Sequence, residues 1–169
     1  RWSESWVKAM EVAEPVVFVA SPAFWAQKYA ECEKNGTVKW STKTVGQEEI
    51  SVRQITLDQI LQEPFFLTEK NANYRQALDQ HLASCRCCLA PVLEISDTAF
   101  IIQMLEQSRG LSFLPLFAVQ KQIWEGTLAA VEVDDVEISM YRQIFYHKNK
   151  FRTREMEQFI IFASEEENH

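Results

Sequence analysis

Three of the four cysteines fall in one tetrapeptide, Cys85-Arg86-Cys87-Cys88, and His81 stands four residues before the first of them. On a helix, residues at i and i+4 share a face, so a thiol and an imidazole placed this way have the makings of a metal or redox site. The CxCC spacing matches no structural zinc pattern, which needs paired ligands at two separated places. The plainer account is free thiols buried where a helix ends and a strand begins, because free cysteine behaves as a small hydrophobe. Clustering of this kind is unlike the spread-out cysteines of a secreted disulfide scaffold. The first twenty residues also lack the charge and apolar order of a secretory leader, so a reducing cytoplasm is the expected location.

Other reactive constellations are missing. His81, His147 and His169 are far apart, and Asp134-Asp135 reads as a charged turn. The sequence has no nucleophile elbow, P-loop, GxGxxG, HExxH or DxDxDG pattern, so no catalysis, metal or cofactor is expected. With 17 basic against 24 acidic residues the formal charge is −7, which argues against a nucleic-acid-binding module, since such modules neutralise phosphates with clustered Lys and Arg. No apolar run is long enough for a membrane helix, so no membrane partner is expected.

The elements that would position these residues follow from pattern. Val16 to Ala20 is a continuous β-branched and aromatic run, read as a strand buried on both faces as in a parallel sheet. Ser21-Pro22 signals a helix start, and Asn35-Gly36 its end. Residues 37 to 54 are polar without a clear period and read as an exposed excursion with one short strand at most. Thr56 to Gln59 fits a capping box, and Pro64 stops the short helix after it. Phe65 to Leu67 is a strand. Tyr74, Ala77, Leu78, His81 and Leu82 form a helical stripe that makes His81 a packed core residue. Leu89 to Ile95 is a strand, and a helix capped by Ser96 or Asp97 follows, closed by Gly110. Leu111 to Leu114 is a strand, and Pro115 opens a helix that ends at Gly126. Leu128 to Val133 and Glu137 to His147 are strands, and a final helix spans about Thr153 to Ala163. Strand and helix alternating from Pro64 to Val133 mean an α/β lobe with a largely parallel sheet.

Three stretches carry a resemblance. They are Leu67-Thr68-Glu69-Lys70 with Asn73-Tyr74-Arg75 and Leu78-Asp79; Glu94-Ile95-Ser96-Asp97 and the amphipathic helix after it; and Gly110 to Val119 followed by Gly126-Thr127-Leu128. Together they resemble the second lobe of the effector-binding domain of LysR-type transcriptional regulators. Val16 to Ser21 resembles the strand leaving the first lobe, and Glu137 to Ala163 the strand and helix returning to it, while residues 23 to 54 depart from the family's short link. The family's N-terminal winged helix-turn-helix, linker helix and opening part of the first lobe are not in the sequence, so the resemblance implies a truncated chain.

The fold it implies is α/β and periplasmic-binding-protein-like. Residues 64–135 would be one complete parallel-sheet lobe, and residues 1–63 and 136–169 part of the first. A small effector, a carboxylate or amino acid, would bind in the inter-lobe cleft at the carboxyl ends of the strands. The residues placed there are Thr68, Glu69, Arg75, Ser96, Asp97 and Phe113, with Pro64, Phe65, Val133 and Asp134 at the hinge crossings. Five of them have a plainer role open to them. Ser96 or Asp97 caps a helix, Glu69 and Arg75 form a structural ion pair, and Phe113 is core. The implied function is allosteric, with homodimeric or homotetrameric assembly and DNA contact only through a domain outside this sequence. A solute-binding protein of a transport system and a cysteine-based redox or metal sensor are the alternatives.

Overall fold

The computed structural model describes residues 6–134, 136, 138–147 and 155–163. In chain order the first elements are β1 (Trp6–Ala20), α1 (Pro22–Lys34), β2 (Lys39–Val45), β3 (Glu48–Thr56) and α2 (Leu57–Ile60). Then come β4 (Phe66–Leu67), α3 (Asn73–Ser84), β5 (Leu93–Glu94), α4 (Thr98–Glu106), β6 (Ser112–Pro115) and α5 (Leu116–Glu125). β7 (Ala129–Val131), β8 (Val133–Asp134), β9 (Ile138–His147) and β10 (Glu155–Ala163) complete the described chain.

The central sheet runs β5-β4-β6-β1-β7. β4 pairs in parallel with β5 through Phe66 and Leu93, and Phe65 bridges in parallel to Leu111 just ahead of β6. β1 is the exception to the expected parallel order: its second half lies antiparallel to both β6, with Phe18 opposite Phe113, and β7, with Val19 opposite Ala130. Continuous burial of a strand reports coverage on both faces, not direction, which is why Val16 to Ala20 read as parallel.

Side-chain alternation divides the core between the two faces of this sheet. Phe18, Phe65, Leu67, Leu111 and Phe113 pack on one side with Trp25 of α1 and Leu78 and Leu82 of α3. Val19 and Leu114 point the other way, onto Ile101 and Leu105 of α4 and Val119 of α5. The indole of Trp25 donates to Ala129 O at 2.9 Å and ties α1 to β7.

Local signals explain most helix ends. Ser21 caps α1, its Oγ accepting from Phe24 N at 3.0 Å with Pro22 in the first turn. Gln59 Oε1 accepts from Thr56 N at 2.8 Å, as a capping box requires, and its amide donates to Thr37 O at 2.9 Å. Gly110 does not close α4. Ser108 takes the left-handed conformation there (φ 58°), with Ser108 N bonded to Leu105 O and Arg109 N to Met104 O. Gly110 has a different duty: a Cβ on it would lie 2.2 Å from Pro64 O, so its bare backbone lets Leu111 N bond to Pro64 O and join β6 to β4.

Several expectations are corrected. Residues 37 to 54 hold a full hairpin, β2 and β3, turning at Gly46-Gln47 with Gly46 at φ 65°. Leu89 to Ile95 contributes only Leu93–Glu94 as strand, since Pro91 has no N–H for a ladder. Leu128 to Val133 is two strands: β7 pairs with β1, then β8 pairs in parallel with β3, Ile55 opposite Val133 and Thr56 opposite Asp134. The final helix is instead β10, antiparallel to β9 over Glu155–Ala163, because the run Phe159-Ile160-Ile161-Phe162 fits a strand beside an available edge better than a helical stripe. Thr153 lies outside the described residues. The first half of β1 pairs with β9, from Trp6 opposite His147 to Pro15 opposite Ser139, so one strand of 15 residues serves two sheet regions.

Candidate functional site

Because β4, β5 and β6 point the same way, their carboxyl ends and the starts of α3, α4 and α5 lie on one edge of the sheet. That edge is where open α/β sheets present loops and free backbone N–H groups to ligands. It holds Thr68 and Glu69 after β4, Ser96 and Asp97 after β5, and Pro115 at the end of β6.

Arg75 organises this edge from within. It is 3% exposed on α3, and its Nη1 donates to Thr68 O at 2.8 Å and to Glu94 Oε2 at 2.9 Å, while Nε donates to Asp79 Oδ1 at 3.1 Å. Arg75 is therefore committed to Glu94 and Asp79 rather than to Glu69, and it fixes the post-β4 loop against β5 and α3. A planar guanidinium suits this forked task where an ammonium would not. Glu69 is exposed and its carbonyl accepts from Ala72 N at 3.1 Å, shaping the turn into α3.

Thr68 differs from its neighbours. The residue is only 5% exposed, yet its Oγ1 has no hydrogen-bond partner. Such a buried hydroxyl costs about 1–3 kcal/mol when left unsatisfied. The Tyr74 phenol lies close enough to feel it: burial raises the Tyr74 pKa and the Thr68 hydroxyl partly offsets this, although the two groups do not reach hydrogen-bond geometry. Immediately after, α3 starts at Asn73 with Ala72 in the cap position and no side chain satisfying its first N–H groups. α5 likewise starts behind Pro115 without a side-chain cap.

The β5 end is resolved between its two candidates. Asp97 is the cap of α4, accepting from Phe100 N at 3.1 Å. Ser96 is exposed beside it and takes no part in the cap. Phe113 sits inside the core, its ring centroid 4.7 Å from that of Phe18, and does not reach the edge. Thus Thr68, Ser96 and Asp97 come together with Glu69 along one edge, Arg75 supports them from below, and Phe113 stands apart.

Of the other four positions, Phe65 is fully buried and sheet-bonded, and Pro64 accepts from Leu111 N. Val133 and Asp134 pair with Ile55 and Thr56. Reading from sequence missed Tyr74 and Glu94 as parts of the site. Both stand inside the motif stretches, but Glu94 meets Arg75 across 19 residues of chain, which no local spacing reveals. A shallow hollow elsewhere runs along the outside of α5, lined by Phe117, Gln120, Lys121 and Trp124. Among the described residues no group of three or more His, Cys, Asp and Glu is gathered as a metal-ligand set, and no helix is long and apolar enough to cross a membrane.

A wound α/β sheet with its loops and helix starts on one edge has the architecture of a periplasmic-binding-protein-like fold. The chain belongs to the LysR substrate binding domain family, whose pattern it matches over residues 49–167. It is 24% identical over 119 residues to the HTH-type transcriptional activator CmpR of Synechocystis, a match covering 69% of this chain and 39% of that protein. The chain thus spans about two fifths of the length of that curated relative. Among solved structures it resembles the Synechocystis CcmR regulatory domain in complex with 2-PG (TM-score 0.52, 15% identity, 80% of this chain and 55% of that one). It also resembles the effector binding domain of QuiR in complex with shikimate (TM-score 0.50, 8% identity, 96% of this chain and 57% of that one). At these identities the structures establish the fold.

Proposed function

We propose that this chain is the effector-sensing part of a LysR-type transcriptional regulator, and that its ligand is a small carboxylate held at the edge formed by Thr68, Ser96 and the uncapped start of α3. The observation that carries this reading is the Thr68 hydroxyl, buried and without a partner beside unsatisfied helix N–H groups. A carboxylate there would accept from both, favoured by the positive end of the α3 dipole. Ser96 adds a second hydroxyl, and the acidic side chains of Glu69 and Asp97 suit an ammonium on the same molecule, which makes an amino acid a fitting ligand.

The binding lobe in this reading is built on 64–135 but also takes in Val16–Ala20 of β1, which lies between β6 and β7, and α1 packed on it, so the boundary expected at residue 63 does not hold; Trp6–Pro15 with β9 and β10 belong to the first lobe. One crossing then lies within β1 at Pro15-Val16, where its partner changes from β9 to β6, rather than at Pro64 and the fully buried Phe65, and the return falls at Val133-Asp134 ahead of β9. A ligand that binds one lobe arrangement more tightly than another shifts their balance. In a homodimer or homotetramer of the whole cytoplasmic regulator that shift would reposition DNA-binding heads supplied by a separate domain. The role is binding, not catalysis.

The test is a thermal-shift and tryptophan-fluorescence screen of small carboxylates and amino acids, beginning with shikimate and 2-PG, which the similar QuiR and CcmR domains bind. At least one compound is expected to raise the melting temperature in a dose-dependent way, and Thr68→Val should abolish the rise. A hit whose affinity is unchanged by Thr68→Val and Ser96→Ala would place the pocket elsewhere.

A further inference from the structure

The thiol cluster at the end of α3 takes no part in the effector site, and it is not buried as the sequence led one to expect. Cys32 is buried, but Cys85 and Cys88 are exposed and Cys87 is half-buried. The cause is the way α3 stops. Cys85 occupies the cap, Arg86 turns left-handed at φ 56°, and Cys87 N donates back to Leu82 O at 2.8 Å. This turn folds the Cys87 sulfur over the preceding residue, where it donates to Cys85 O at 3.5 Å.

His81, expected in the core, is instead half-exposed, with its Nε2 3.7 Å from Cys85 Sγ, and Ser84 Oγ lies 3.9 Å from the same sulfur. A thiol in contact with an imidazole has a ready acceptor for its proton, and the thiolate is the reactive form. Among the described residues Cys87 has no such imidazole beside it, and desolvation, then the neighbouring Cys85, Asp58 and Cys88, raise its pKa. One reactive sulfur and one thiol held close by are what a two-step dithiol oxidation needs.

We propose that Cys85 and Cys87 form a dithiol oxidised by hydroperoxides, with His81 as the base for Cys85. His81 takes the Cys85 proton, and the thiolate attacks a peroxide oxygen. The O–O bond breaks, Cys85 becomes a sulfenic acid, and the leaving hydroxide takes a proton to become water. The Cys87 sulfur then attacks the Cys85 sulfur, the S–O bond breaks, and the second oxygen leaves as water carrying the Cys87 proton. Two thiols lose two electrons in all, and one hydrogen peroxide becomes two waters. Closing this bond draws Cys87 away from its packing against the core. The inference stands independently of the effector site.

Trypsin provides a direct test, because Arg86 separates the two sulfurs: cleavage leaves Cys85 in peptide 76–86 and Cys87 with Cys88 in peptide 87–109. The reduced chain is treated with hydrogen peroxide, alkylated, digested without reductant and analysed by mass spectrometry. The two peptides should be found joined, and still joined in Cys88→Ser. In Cys87→Ser,Cys88→Ser a dimedone adduct should accumulate on Cys85. His81→Gln, with circular dichroism unchanged, should slow alkylation of Cys85 about threefold or more. Oxidation confined to Cys87 and Cys88 with Cys85 still alkylatable would overturn the proposal, and so would loss of the joined peptides in Cys88→Ser. An alkylation rate for Cys85 unchanged in His81→Gln would remove His81 from it.

Discussion

Arg75 and Glu94 meet at 2.9 Å across the top of β5, and the arginine side of that pair is almost wholly buried while the glutamate side is about one-third exposed. With Asp79 on its Nε and Thr68 O on the same Nη1, the guanidinium holds three segments of chain in place. Removing it leaves a desolvated carbonyl and two carboxylates without their cation. Arg75→Met, which keeps the side-chain bulk, should lower the unfolding free energy by about 2–4 kcal/mol, measured by urea denaturation. Glu94→Gln should cost clearly less, because Asp79 remains to hold the charge. Equal losses would mean that the Glu94 contact dominates.

Thr68→Val separates stability from binding. The substitution keeps the shape and removes a buried hydroxyl that has no partner. Unfolding free energy without ligand should stay within about 1 kcal/mol of the parent or rise. A loss well beyond that would show that the hydroxyl is already satisfied within the folded chain.

Two backbone positions have opposite expected signs. Gly110→Ala places a carbon against Pro64 O and the ring of Phe66. It should destabilise by about 3 kcal/mol, with weakened amide protection at Leu111 in hydrogen exchange. Arg86 is left-handed at a helix end where glycine is at ease, so Arg86→Gly should stabilise by about 1 kcal/mol in the same denaturation assay.

At alkaline pH three groups act in one direction. Burial is the main cause that lifts Tyr29 and Tyr74 above their ordinary 10.0, opposed by Arg53 at Tyr29 and by Thr68 at Tyr74. Burial alone would lower Lys28, but Glu63 at 2.8 Å, aided by Glu31, outweighs it and raises the value above 10.5. Each group holds its proton more tightly folded than unfolded. The stabilisation from each is complete below its unfolded value and is lost as pH rises through its folded one. Stability should therefore fall above about pH 10, and Tyr74→Phe should make that fall shallower in urea titrations across the range. An identical slope in the variant would rule out Tyr74 as a contributor.

What the sequence disclosed was largely what is local. Ser21-Pro22, Thr56 to Gln59 and Asn35-Gly36 announce helix ends because their partners lie within a few residues. The succession from Phe65 to Val119 was readable because its apolar runs and stripes are cleanly separated. The β2–β3 hairpin was not, since most of its residues are exposed and neither face leaves an apolar alternation. β10 misled because Met156, Phe159 and Ile160 satisfy a helical period while Phe159 to Phe162 equally satisfy a strand. That the loop residues Thr68, Ser96 and Asp97 share one sheet edge was legible from topology, because each follows a strand of the same direction. The duty of Arg75 was misassigned to Glu69 because its partner Glu94 is set by the parallel register of β4 and β5, whereas Asp79, four residues on along α3, lay within reach of local spacing.

The shared strand β1 imposes an order of assembly on the growing polypeptide. Among the described residues Trp6 to Pro15 find their ladder on β9, whose residues lie more than a hundred positions downstream. A ribosome finishing the segment through Val131 would already have released both partners that Val16 to Ala20 pair with here, while the β9 partner of the earlier half was still to be made. Such a long wait favours slow maturation and a demand for chaperones during synthesis.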